Sequence, residues 1–208
     1  MNRRTFLCGF GAAAGMIYWP TLSASIAVTP SEMAGPFYPV VYPKDRDFDL
    51  TQVGAGKGRA LGEVITLQGV VNDTKGVTIE DAMVELWQAN AAGRYRHPSD
   101  KSSAPLDANF QGWAVVQSGA EGGFKFKTVM PGSYQANPLW TRPPHIHFKI
   151  SKPGYQELVS QMYFPDHPLN SSDLLLARHS AEDQQRMIAK RQNEGAFYHT
   201  LVLAKVGP

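Results

Sequence analysis

Gly122-Gly123-Phe124-Lys125-Phe126-Lys127-Thr128-Val129 alternates apolar and charged residues after a glycine pair. A period of two places Phe124, Phe126 and Thr128 on one face and Lys125 and Lys127 on the other. That is the pattern of a strand with one face in a core and one in water. The glycines mark the turn that precedes it.

Working outward, the same signal recurs. Val64, Ile65, Leu67, Val70 and Val71 form a β-branched run that stops at Asn72-Asp73, a turn pair. Lys75-Gly76 and Glu80-Asp81 supply further turn residues. In Ala82-Met83-Val84-Glu85-Leu86-Trp87-Gln88, alternation sets Ala82, Val84, Leu86 and Gln88 on one face. Strands are also predicted over 145–150, 158–164 and 197–206. One helix is predicted over 180–193, with Ser180 as N-cap, Asp183 three residues on and Gly195 after its end. Short strands between turns predict an all-β fold, an antiparallel β-sandwich with long loops and one short C-terminal helix. Residues 28–60 are rich in Pro, Gly and Asp without periodicity and predict an extended arm, leaving 61–208 as the sandwich domain.

Composition narrows the function classes. The chain has 208 residues, 43% hydrophobic and 18% charged, which suits one globular domain with a full core. Residues 1–27 have the order of a targeting segment: Arg3-Arg4, then an apolar small-residue run over 7–19, then Ser23-Ala24-Ser25-Ile26-Ala27. The paired arginines before Phe6-Leu7 suggest the twin-arginine export route and a periplasmic or extracellular destination. Without that segment, 18 basic and 18 acidic residues balance, which argues against nucleic acid as a partner. The run over 7–19 is too short for a membrane span, so none is expected in the mature chain. The one cysteine, Cys8, lies in the same segment. Cys-ligated metal sites and disulfides are thereby excluded from the mature chain, and any metal must be held by His, Tyr or carboxylate.

Arg142-Pro143-Pro144-His145-Ile146-His147-Phe148 carries the chemistry. His145 and His147 are two apart on a predicted strand, so both imidazoles project from one face. Two neutral imidazoles are half of a metal site; a lone His-X-His is as readily ordinary packing. Tyr134 lies eight residues before Arg142, and Tyr95 follows a turn at Gly93.

The segments Val84-Glu85-Leu86-Trp87-Gln88-Ala89-Asn90, Gly93-Arg94-Tyr95-Arg96-His97, Ala104-Pro105-Leu106-Asp107, Arg142 to Phe148 and Gln161-Met162-Tyr163-Phe164 together resemble the intradiol ring-cleavage dioxygenases, most of all the protocatechuate 3,4-dioxygenase β-subunit branch. The resemblance implies Fe(III) held by Tyr95, Tyr134, His145 and His147. It implies that Arg142 and Gln161 line the substrate site and that Tyr134 is the ligand released on substrate binding. The implied reaction opens a catechol-type ring between its hydroxylated carbons with O2, giving a cis,cis-muconate-type diacid. Arg142 would stabilise negative charge developing on the ring. The donor chemistry agrees: phenolate is a hard anionic ligand, and only a strong Lewis acid keeps a group of pKa about 10 deprotonated at neutral pH.

One stretch departs from the family. Residues 135–141 are short, and Ala136 stands where the protocatechuate enzymes place a Trp, which leaves the diol open. A homo-oligomer or partner subunit is also left open. Two other readings stand beside this one: a cupin-like His-X-His metal site, which calls for a Glu soon after the pair and a further His, and a catalytically inert β-sandwich binding module. Trp87 is expected in the core, and His97, His167, His179 and His199 in structural or exposed positions.

Overall fold

A computed structural model describes residues 25–207. Most of the expected targeting segment, including Arg3, Arg4 and Cys8, lies outside the described residues. Ten strands form two four-stranded sheets and a hairpin. In chain order they are β1 (Val64–Asp73), β2 (Met83–Trp87), β3 (Trp113–Gln117), β4 (Gly123–Val129), β5 (Tyr134–Asn137), β6 (Trp140–Arg142), β7 (His145–Ser151), β8 (Leu158–Tyr163), β9 (Lys190–Asn193) and β10 (Ala196–Leu203). The first sheet runs β4-β1-β10-β9 and the second β3-β2-β7-β8, while β5 and β6 pair with each other.

The alternation at 122–129 is realised as read. Phe124, Phe126 and Thr128 are buried, and β4 pairs antiparallel with β1, Phe126 opposite Leu67. Between the sheets lie Leu67, Phe126 and Leu201 of the first, and Val84, Leu86, Ile146, Phe148 and Met162 of the second, each essentially inaccessible to water. Burying each such side chain contributes about 1.5–3 kcal/mol relative to exposure. Gln88 adds a polar tie: its amide donates to Val129 O at 2.9 Å and its oxygen accepts from Thr128 Oγ1 at 2.9 Å.

One pairing is parallel, not antiparallel: β1 with β10, in register from Thr66–Ala196 to Asp73–Leu203. The predicted helix is shorter than expected. Ser180 Oγ does cap it, accepting from Asp183 N at 3.1 Å. The helix, α1, covers only Ala181–Met187. Ile188 then turns extended and bridges Tyr163, Ala189 N donates to Tyr163 O, and the chain enters β9. Gly195, with φ +68°, serves the β9–β10 turn and not a helix end.

The arm closes sheet edges. Leu50 N donates to Lys127 O and Lys127 N to Phe48 O on β4; Val115 N of β3 donates to Arg46 O; Glu32 N donates to Val159 O on β8. Edges covered in this way cannot recruit foreign strands. Covering β8, the arm also reaches the outer face of the second sheet.

Candidate metal centre

That outer face carries the chemistry. On β7, Ile146, Phe148 and Ile150 point into the core, so His145 and His147 point outward. The register aligns His145 with Tyr163, and His147 with Gln161 on one side and Trp87 on the other. A second apolar cluster roofs this face, built from Trp87, Ala89, Tyr95 and Trp113 with Phe37, Tyr38 and Tyr134.

Tyr95 arrives from the loop after β2. Gly93 adopts φ +78°, and a Cβ there would meet Ser133 O at 2.2 Å, so only glycine fits this turn. Asn90 holds the turn by accepting from Ala92 N and Arg94 N. Tyr95 N then donates to Asp100 Oδ2 at 2.7 Å, and Phe37 stacks on the Tyr95 ring at 4.5 Å. Tyr95 Oη stands 3.1 Å from His147 Nε2 and 3.4 Å from His145 Nε2. The Tyr134 ring lies edge-on to Tyr95 at 5.5 Å and 5.6 Å from the His145 ring. The four side chains assigned as ligands from sequence thus converge on one buried point.

The arrangement suits a metal ion. Donors about 2 Å from one ion stand about 3 Å apart, close to the spacing of Tyr95 Oη from the two imidazole Nε2 atoms. His145 Nδ1–H donates to Pro143 O at 2.7 Å, leaving the Nε2 lone pair facing Tyr95. Burial, helped by Arg142, lowers His145 to about 3, and burial, helped by His145 and Arg142, holds His147 well below the usual imidazole range, so both are neutral, the form that ligates a metal. Burial raises both phenols, Tyr95 further with the help of Tyr134, while Arg142 opposes the rise at Tyr134. Without a cation neither phenolate would persist at neutral pH. His147 Nδ1 is buried without a partner, and the Trp87 ring stacked on His147 at 4.9 Å and 10° is what fixes its plane.

Among the described residues no three His, Cys, Asp or Glu side chains form a group able to hold a metal. The side chains beside the His pair are phenols, which a cupin-like site does not use. A cupin-like site calls for a Glu soon after the His pair, and Glu157, ten residues on, instead pairs with Lys149 at 3.4 Å and is exposed. His97 accepts from Ser99 N, His167 from Leu169 N, and His179 meets Glu32 at 2.6 Å. His199 is buried against Phe148. None of these four joins the cluster.

Arg142 and Gln161 are also brought together, Arg142 Nη2 donating to Gln161 Oε1 at 2.7 Å. Arg142 is only 3% exposed and its guanidinium lies 5.2 Å from the Trp140 ring centre. Sequence reading missed three neighbours: Phe37 over Tyr95, and Tyr163 and Asp173 beside Arg142. Tyr163 was accessible by strand alternation from Gln161. Asp173 was not, because it reaches the site from an aperiodic segment after β8.

The chain matches the dioxygenase family over residues 33–200. It belongs to the intradiol dioxygenases. It is 41% identical over 147 residues to the protocatechuate 3,4-dioxygenase beta chain of Burkholderia cepacia, covering 69% of this chain and 63% of that protein. It is 30% identical over 167 residues to the catechol 1,2-dioxygenase of Candida albicans, covering 72% and 51% respectively. The chain therefore spans about half to two thirds of these relatives. Among solved structures, the dioxygenase domain of a dioxygenase–carbohydrate-binding protein fusion from Streptomyces sp. SirexAA-E superposes with a TM-score of 0.66 at 24% identity, covering 86% of this chain and all of that one. The hydroxyquinol 1,2-dioxygenase of Pseudomonas putida superposes at 0.67 and 20% identity, covering 88% and 68%. These likenesses establish the β-sandwich of the intradiol fold.

Proposed function

We propose that this intradiol dioxygenase holds a ferric ion through Tyr95, Tyr134, His145 and His147 and cleaves a catechol-type diol between its hydroxylated carbons with O2 to a cis,cis-muconate-type diacid. The observation that carries this reading is the convergence of two neutral imidazoles and two phenols beneath an aromatic roof, with a guanidinium alongside. Bound there, Fe(III) would supply Lewis acidity that withdraws electron density from a chelated diol and makes its ring reactive toward O2.

The chain's own residues divide the remaining work. Tyr95 is 3% exposed and stacked under Phe37, so it stays in place. Tyr134 is only half-buried and sits on a four-residue strand of an isolated hairpin. It is the phenol free to withdraw and to carry a diol proton on Oη as it leaves. Trp87 and Phe37 exclude water from the imidazoles and from Tyr95. Arg142 presents a preorganised cation to charge developing on the ring.

Identity to the beta chain of a protocatechuate 3,4-dioxygenase supports protocatechuate as the first diol to try. The test is O2 uptake by the iron-loaded protein with protocatechuate and with catechol, using 18O2. Consumption of one O2 per diol with both labelled atoms in a ring-opened diacid is expected. Iron loading without diol-dependent O2 uptake, across a panel of substituted catechols, would refute the reading.

A further inference from the structure

The guanidinium of Arg142 is not held by Gln161 alone. Asp173 lies between two 3-10 turns, Pro168–Ser172 and Leu176–Arg178, and is 0% exposed. A buried carboxylate is tolerated only when fully paired, and this one is. Asp173 Oδ2 accepts from Arg142 Nε at 2.8 Å. Asp173 Oδ1 accepts from Tyr163 Oη at 3.1 Å, from Leu175 N at 3.1 Å and from Leu176 N at 2.9 Å. Tyr163 Oη in turn accepts from Arg142 Nη2 at 2.9 Å.

Asp173, Tyr163 and Gln161 therefore engage the Nε and Nη2 edge of the guanidinium, and Trp140 flanks it. Arg142 stands opposite Tyr134 in the hairpin register. The nitrogen left outside this clamp is Nη1. Resting on the dioxygenase reading above, we propose that Asp173, acting with Tyr163, is a positioning residue that fixes Arg142 so that its remaining N–H edge meets the diol bound beside Tyr134.

The clamp has two consequences. An arginine side chain that is free must be ordered during each turnover, and one held at Nε and Nη2 is already ordered. Both Asp173 oxygens are taken up by Arg142, Tyr163 and two backbone N–H groups, so the clamp aims Arg142 without itself contacting the diol. Loss of the clamp should then lower kcat and leave diol affinity nearly unchanged, the signature of an interaction made in the transition state.

The experiment compares wild type with Asp173→Asn and Tyr163→Phe, the second preserving the ring should the first misfold. In the iron-free protein, the Arg142 Nε–H is expected as a slowly exchanging 15N-coupled NMR resonance that is lost in Asp173→Asn. In the iron-loaded proteins, the visible spectrum and the anaerobic diol Kd should match wild type within about twofold, while kcat falls roughly 10- to 100-fold in Asp173→Asn and less in Tyr163→Phe. Methylguanidinium should partly restore turnover to Arg142→Ala and fail to do so in Arg142→Ala/Asp173→Asn. Wild-type kcat in both single variants, or equal rescue with and without Asp173, would overturn the positioning role while leaving the dioxygenase reading intact. An iron-loaded wild type that consumes no diol would overturn both.

Discussion

At the scale of single residues, the site is a matter of which polar atoms are satisfied. Arg142 is wholly engaged on one edge, and burial, which alone would lower its pKa, is overridden by Tyr163 and Asp173, so it stays charged. Replacing Arg142 with Ala should reduce turnover about 10²- to 10³-fold, the usual effect of deleting a preorganised charge-stabilising donor, with iron content unchanged. Full loading with unchanged turnover would remove Arg142 from the chemistry. The same substitution leaves Asp173 buried and unpaired, so chemical denaturation should show a loss of about 3–5 kcal/mol. Asp173→Asn in that background should recover part of it. His147 depends on Trp87, having no partner at Nδ1. Trp87→Leu should weaken iron binding about tenfold in a competition titration, in the range found for ligand-orienting neighbours. The structure brings together Tyr95, Tyr134, His145, His147, Arg142 and Gln161, the side chains that sequence motifs and spacing single out. Trp87 was read as core only; it is buried as expected and also stacks on His147.

At the scale of elements, alternation found β1, β2, β4, β7, β8 and β10 but missed β3, and helix propensity misled once. Residues 188–193 follow a capped helix and contain good helix formers, yet Ile188 and Ala189 join Tyr163 and the chain then pairs with β10. Tertiary pairing overrides local propensity there, and no local signal announces it. The β5–β6 hairpin went unread because it is short, largely exposed and without an apolar face. Phe126, 0% exposed in β4, is central to the core. Phe126→Ala should cost about 3–5 kcal/mol in urea unfolding.

His199 on β10 gives the sheet a pH dependence. Burial lowers it to about 4, and its Nε2 has no partner. The unfolded chain takes up the proton near pH 6.5 and the folded chain near 4, so stability is full above 6.5 and declines as pH falls toward 4. That shift amounts to about 3 kcal/mol. His199→Phe, able to keep the stack on Phe148, should remove this share of the acid sensitivity. The same pH dependence of the urea midpoint in both proteins across pH 4–7 would show that His199 titrates alike in the folded and unfolded chain, and would contradict this account.

At the scale of the molecule, the sandwich core is scaffold, and the site lies outside it, on the second sheet under the arm, the β5–β6 hairpin and the segment after β8. Sequence periodicity reveals the scaffold. It is blind to the covering segments, which is why Phe37 and Asp173 emerged only from the fold. No helix among the described residues is long and apolar enough to cross a membrane. We propose that residues 1–27 direct export by the twin-arginine route. Arg3→Lys/Arg4→Lys should retain the protein in the cytoplasm on fractionation; unchanged export would refute that route.

Everything proposed for the site rests on Tyr95 and Tyr134 binding ferric iron as phenolates. The visible absorption spectrum of the iron-loaded protein, before and after anaerobic addition of protocatechuate or catechol, tests it most directly. A red-brown tyrosinate-to-iron charge-transfer band that shifts when the diol is added is the expected result. Bound iron with no such band would contradict it, and the two phenols would cease to be ligands.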